Sequence, residues 1–341
     1  MKALIKKAIG DGEMELIESQ LPVVREEWVL IKVKACGICG TDLHIKKGEY
    51  PINPPVILGH EFSGEIVQVG NHVSTLNSGD RVVALTAIDT CGSCEYCRKG
   101  LMMLCKERRS IGSGINGAFA DYLSVPASSV YSIPDNLSYE EAALTEPLAC
   151  VVRCMSERTN IEAGDSVLIS GPGTIGLLAL QVARANGADV TVLGTAKDKD
   201  RLALSLKLGA EKTWITDHIP DDISISEKEF DVTVECAGVE SSLTNCISLA
   251  KKSGKLIQVG LFGKNVSIDA DLILMKELEM INGFGTTAAS WHKSLTLLRT
   301  NKINVKDLIS NQVALSNWVE GFDLAEKNIG FKTLLIPDNY K

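Results

Sequence analysis

The sequence contains no apolar run long enough to cross a bilayer. Its most hydrophobic stretch, Val167 to Ala183, is broken by three glycines and a proline and carries Gln181, whereas a membrane span needs about 20 apolar residues. A buried strand followed by a helix fits it better. Positive charge is also in short supply: 35 Lys and Arg stand against 43 Asp and Glu, for a net charge of −8 and a pI near 5.3. Such a chain is repelled by phosphate backbones and anionic bilayers, so no nucleic-acid or membrane partner is expected. The opening Met-Lys-Ala-Leu-Ile-Lys-Lys sets charge on both sides of a very short apolar run, unlike a secretory signal. Internal repeats and low-complexity segments are absent. Ten cysteines without an export signal point to metal ligands or buried thiols instead of disulfides, and to a reducing cytoplasm.

What is present is ordinary in bulk and specific in detail. The 341 residues suffice for about two domains of ~100–200 residues, and 45% hydrophobic with 23% charged content is that of a globular protein. Up to about residue 147 the text is short strands and turns. Val29–Ala35 and Gly64–Gly70 alternate apolar and polar residues, the period of half-buried antiparallel strands, and Arg81–Leu85 follows a Gly79-Asp80 turn. After Pro147, near-continuous apolar runs begin at Ser166, Asp189, Phe230 and Gly254, with helical text at Ile175–Asn186 and Asp200–Leu208 between them. This alternation predicts an α/β unit with a parallel sheet covered on both faces. The last ~55 residues mix a helix around Trp291–Thr300 with a closing strand from Lys332, as in a chain returning to its first lobe.

Four cysteines, Cys91, Cys94, Cys97 and Cys105, lie in one short segment. As thiolates they can enclose one tetrahedral ion, a closed site that holds a loop and does no chemistry. Gly171-Pro172-Gly173-Thr174-Ile175-Gly176 follows a predicted strand and opens a predicted helix. There the glycines allow a tight turn and close approach to a pyrophosphate, which the helix N-terminus attracts. The end of the next strand reads Gly194-Thr195-Ala196-Lys197-Asp198-Lys199-Asp200-Arg201. It lacks the carboxylate directly at the strand end that binds the ribose of NAD. Lys197 or Arg201 would suit the 2′-phosphate of NADP, while Asp198 leaves NAD open. Cys39, His60 and either Glu61 or Glu146 form an N/O/S set for a catalytic zinc with one open position. Taken singly, Cys39 is more often a buried thiol and His60 a hydrogen-bonded loop histidine.

Gly59-His60-Glu61-x-x-Gly64-x5-Gly70-x-x-Val73, Cys39-Gly40-Thr41-Asp42-Leu43-His44, the four-cysteine lobe, Gly79-Asp80-Arg81-Val82, Glu146-Pro147 and the glycine turn together resemble the zinc-dependent medium-chain alcohol and polyol dehydrogenases. The likeness runs end to end and is nearest to the sorbitol and threonine dehydrogenases, because Glu146 stands where alcohol dehydrogenases carry a cysteine. The resemblance implies a GroES-like catalytic domain over 1–149 and 286–341 and a Rossmann domain over 150–285. It implies Cys39 and His60 as zinc ligands, with Glu61 and Glu146 alternating beside a water, and Asp42 orienting His60. Thr41 would take the substrate proton and pass it towards His44. A carboxylate in place of a thiolate hardens the site, which suits polyols. The family also implies dimers or tetramers formed by sheet edges. Asn282–Trp291 departs from the sorbitol dehydrogenases, where an arginine is expected, so an amino alcohol or simple secondary alcohol remains an alternative substrate. Tyr50, Phe119 and Trp291 are candidate pocket walls or plain packing.

Rival readings are a Cys36–Cys39 redox dithiol, and a non-catalytic nucleotide-binding or zinc-thiol sensing protein. The first lacks a thioredoxin-like surround. The second would be marked by loss of Cys39 or His60, and both are present. Cys150 and Cys154 are expected on a packed helix face, and Cys236 and Cys246 as small core residues.

Overall fold

The computed structural model describes residues 1–216 and 229–339. Two compact units divide the chain, one of Met1–Pro147, Gly285–Arg299 and Val305–Lys341, the other of Leu148–Phe284 and Thr300–Asn304. The first begins with β1 (Lys2–Lys6), β2 (Met14–Glu18), β3 (Trp28–Gly37), α1 (Gly40–Lys46), β4 (Val56–Ile57), β5 (Glu61–Val69), β6 (Arg81–Ala84), β7 (Ala87–Asp89), α2 (Glu95–Arg98), β8 (Arg109–Ser110), β9 (Tyr122–Pro126), β10 (Val130–Ser132) and α3 (Tyr139–Ala142). Strands β2, β1 and β4 form one small sheet, and β7 pairs with β8. The long strands β3 and β5 pair antiparallel from Val29–Val69 to Gly37–Glu61, so the motif residues that follow β3 and open β5 emerge at the same end.

Helix α4 (Thr145–Val152) leads into a π-helical turn at Arg153–Glu157. The second unit then alternates β11 (Ser166–Ser170), α5 (Thr174–Ala185), β12 (Asp189–Gly194), α6 (Lys199–Lys207), β13 (Lys212–Ile215), β14 (Phe230–Glu235), α7 (Glu240–Leu249), β15 (Ala250–Gln258), α8 (Ala270–Met275) and β16 (Glu279–Asn282). All six strands are parallel, in the order β13-β12-β11-β14-β15-β16. Chain order reverses between β11 and β14, the switch point at which such sheets bind ligands. Val167, Leu168, Ile169, Val190, Val192 and Val234 are buried, the outcome expected of apolar runs covered on both faces. The apolar stretch with Gln181 is β11, the turn and α5. Gln181 is buried and exchanges hydrogen bonds with Asn304, at 3.0 Å to its carbonyl and 2.6 Å from its N–H, which ties the 300–304 segment to this unit.

The remaining elements are α9 (Ala288–Arg299), β17 (Ile309–Ala314), α10 (Trp318–Glu326) and β18 (Lys332–Ile336). Strand β18 pairs antiparallel with β3, Leu335 opposite Cys36, and parallel with β17, extending the main sheet to β10-β6-β5-β3-β18-β17. Phe119 packs edge-on to Phe322 at 6.0 Å in the core of the first unit. Trp291 is buried, stacks on Tyr131 at 5.5 Å and donates to Thr286 Oγ1 at 2.9 Å. Both therefore serve as packing residues. Among the described residues no helix is long and apolar enough to cross a membrane.

Candidate metal centres and cofactor turn

In the first unit, ligand atoms of Cys39, His60 and Glu61 all lie within 4.8 Å of one another. Cys39 sits at the N-cap of α1 and Glu61 opens β5. Asp42, fully buried in the first turn of α1, accepts the Cys39 N–H through Oδ2 at 2.9 Å. Its Oδ1, buried without a hydrogen-bond partner, lies 3.7 Å from His60 Nδ1. One carboxylate thus bonds the backbone of Cys39 and faces the ring of His60. Burial alone would lower the His60 pKa, but Asp42 and then Cys39 outweigh it and hold the ring well above the usual histidine range.

The carboxylate of Glu61 meets the ammonium of Lys332. Both are buried, and Lys332 also donates to the Ile38 carbonyl at 2.9 Å. Burial lowers the Lys332 pKa, but Glu61, then Cys39, more than reverse the effect, so it stays charged. Nothing in the local sequence singles out Lys332. Glu146, buried in the first turn of α4, stands outside the three-residue cluster. Thr41 and His44 are half-buried and three residues apart on α1, hence on one face, and His44 Nδ1 contacts Glu49 at 2.7 Å.

The donor set fits zinc, which takes thiolate, imidazole and carboxylate together and leaves a place open in catalytic sites. Cys36, completely buried next to it, has its thiol pKa raised by burial, as befits an inert core residue and not half of a redox pair.

Cys91, Cys94, Cys97 and Cys105 form the second cluster. Their sulfurs stand 3.9 Å (Cys91–Cys97), 3.5 Å (Cys94–Cys97) and 3.6 Å (Cys91–Cys105) apart. A disulfide would bring sulfurs to about 2.05 Å, whereas zinc at about 2.3 Å from each places them roughly 3.8 Å apart. The backbone N–H of Cys94 points at Cys91 Sγ (3.4 Å) and that of Cys97 at Cys94 Sγ (3.5 Å). Hydrogen bonds from Ser93 and Cys94 lower the Cys91 thiol to about 6. In chelator-stripped protein, Cys91 is therefore expected to alkylate at its plateau rate at pH 7 and to slow only below about pH 6, since the thiolate is the nucleophile. Mass spectrometry of the 91–105 peptide reads this. A rate still climbing steeply from pH 7 to 8 would refute the lowered value.

The remaining cysteines are varied. Cys154 is buried within the π turn and donates to the Gly283 carbonyl at 3.6 Å, and Cys246 is buried. Cys150 and Cys236 are only half-buried. For Cys236 this corrects the expected core position, because it lies just past the end of β14.

In the second unit the glycine turn joins β11 to α5. Gly171 has φ +102°, and a Cβ there would lie 2.8 Å from Ala237, while one at Gly176 would run into the Gly171 carbonyl. Only glycine fits either position. Gly173 caps α5 with extended backbone, so the first turn of the helix, whose N–H groups have no partner within the helix itself, opens onto the glycine turn. Arg201 brings Nη1 to 3.9 Å from where a Gly173 Cβ would stand, so a guanidinium overhangs the turn. Lys197 is exposed. Asp198 Oδ2 accepts both the N–H (2.9 Å) and the hydroxyl (2.7 Å) of Thr195. A turn bare of side chains, with a cation above it, fits a dinucleotide pyrophosphate.

These features are those of a zinc-binding, NAD(P)-dependent dehydrogenase. Residues 25–135 match the alcohol dehydrogenase GroES-like domain and 174–300 the zinc-binding dehydrogenase domain. The chain is 39% identical to D-arabitol-phosphate dehydrogenase of Enterococcus avium, across 98% of this chain and 97% of that one. It is 36% identical to a sorbitol dehydrogenase of Halalkalibacterium halodurans, across 99% of both. A zinc-binding dehydrogenase of Sinorhizobium meliloti 1021, solved with NADP bound, superposes with a TM-score of 0.90 at 32% identity, covering 98% of this chain and 99% of that one. The chain belongs to the zinc-dependent medium-chain dehydrogenase family and has its fold, a GroES-like unit with a Rossmann-type one.

Proposed function

We propose that the protein oxidises a polyol or polyol phosphate to its ketone at the Cys39–His60–Glu61 cluster, with NADP as hydride acceptor. The observation that carries this reading is the mixed N/O/S donor set, all within 4.8 Å. Cys39, His60 and a glutamate, Glu61 or Glu146, would hold zinc, and the glycine turn with Thr195, Lys197 and Arg201 would hold the dinucleotide. When bound, zinc lowers the pKa of the substrate hydroxyl, and the nicotinamide accepts hydride. The chain's own residues supply the rest. Thr41 accepts the hydroxyl proton, and His44 on the same face of α1 conveys it to solvent. Asp42 fixes Cys39 and faces His60. Cys91, Cys94, Cys97 and Cys105 would bind a second, structural zinc.

The polyol, phosphorylated or not, follows the two relatives named above, and the preference for NADP rests on the cation over the turn and the engagement of Asp198 with Thr195. Arg201→Ala is expected to weaken NADP by roughly 10–100-fold, the worth of one charged hydrogen bond, and NAD much less. Equal losses would assign Arg201 to the pyrophosphate. Initial rates on polyols, polyol phosphates, threonine and diols, each with NAD and NADP, test the whole reading. A preference for threonine moves the substrate to the amino alcohols, and a zinc-loaded protein inert to every alcohol ends it.

Ten cysteines are consistent with a cytoplasmic setting. Strand β16 is a sheet edge with Met280, Leu274 and Met275 exposed on and beside it, which supports a homo-oligomer joined at that edge. A monomer by light scattering would remove that part.

A further inference from the structure

We propose that Glu235 is a positioning residue for the dinucleotide, a buried carboxylate that ties together the three loops at the switch point and so sets the phosphate-binding turn. The proposal rests on the reading of the second unit as an NAD(P) site. Glu235 ends β14 between Ser170 of β11 and Gln258 of β15 and is fully buried. Its Oε1 accepts the backbone N–H groups of Ala237 and Gly238, each at 2.8 Å. Its own carbonyl accepts those of Val259 (2.9 Å) and Gly260 (3.0 Å). The other carboxylate oxygen has no hydrogen-bond partner and lies against Gly260, where an added Cβ would collide with it and come within 2.7 Å of the Gly238 nitrogen.

The tie reaches the turn through Ala237. This residue forms the wall that a Cβ on Gly171 would strike, at 2.8 Å from both its Cβ and its nitrogen. Cys236 N–H donates to the Ser170 carbonyl at 2.9 Å just beneath. Moving Ala237 therefore moves the floor of the Gly171–Gly176 turn. A buried carboxyl oxygen left without a hydrogen-bond partner is costly inside a protein. Its two N–H bonds are the return on that cost.

The test uses the full, zinc-loaded protein, with Kd for ADP-ribose, NAD and NADP measured by calorimetry beside zinc content and thermal unfolding. Glu235→Leu is expected to weaken all three ligands by the same factor, about tenfold or more, as loss of hydrogen bonds to a charged group implies, with zinc content unchanged. Glu235→Gln keeps an acceptor oxygen and is expected to recover most of the affinity. Should Glu235→Leu fail to fold, Gly260→Ala, which pushes on the same carboxylate, is expected to give the same uniform loss. Unchanged affinity in a folded Glu235→Leu or in Gly260→Ala overturns the proposal, as does a Gln variant no better than Leu. Wild-type protein that binds none of the three overturns the NAD(P) reading beneath it instead.

Discussion

Replacing Cys39 by serine is expected to cut turnover by at least about a thousandfold while leaving the fold and cofactor affinity in place. A Lewis acid at the reacting oxygen contributes several kcal/mol of charge stabilisation, and each ~1.4 kcal/mol is a factor of ten in rate. Serine keeps the volume and the Asp42-bonded backbone N–H but replaces a soft thiolate with a neutral hydroxyl. The glycine turn lies in the other unit, and the four-cysteine lobe shares no residue with this cluster. Zinc content is therefore expected to fall from about two per chain to one, with dinucleotide Kd unchanged. Full activity at one zinc per chain would remove the proposed role of Cys39.

Lys332→Met should have the largest effect on stability. It leaves the carboxylate of Glu61 buried and unpaired, and breaking one side of such a pair costs about 3–5 kcal/mol. The loss is expected to be greatest in metal-stripped protein and smaller when zinc is present, because a divalent cation beside Glu61 compensates the same charge. Urea unfolding of the wild type and of Lys332→Met, each with and without zinc, measures the difference. Pairing the change with Glu61→Gln should recover much of the loss. Equal destabilisation with and without metal would separate Glu61 from the metal site.

The sequence made β11, β12 and β14 legible because strands buried on both faces are apolar without interruption, and periodicity needs only local residues. The glycine turn and the motifs around Cys39 and His60 were legible for a similar reason: each lies within a few consecutive residues. The pairing of Lys332 with Glu61 was not, since a single lysine at the head of Lys-Thr-Leu-Leu-Ile reads as a solvated strand flank. It becomes buried only because β18 inserts beside β3, and such placement leaves no local trace. Strands β4, β7 and β8 are two or three residues long and owe their existence to distant partners. Glu235 looked like the last residue of an apolar strand, and what it holds depends on the loop after β15. Cys236 follows the run that ends at Glu235, and its partial exposure depends on where the loop after the strand turns.

The insertion of β18 beside β3 also sets a timetable. On a ribosome adding about 5–20 residues per second, the roughly 300 residues between those strands take about 15–60 seconds to appear. During that interval the Cys36–Gly37 end of β3, beyond the Trp28–Lys32 stretch that β9 covers, lacks its partner, and Glu61 lacks its ammonium. A nascent chain in that condition offers bare backbone amides to any passing strand. Slowing elongation over the last third of the message should raise the share of insoluble product, and faster synthesis at the same yield of chains should lower it.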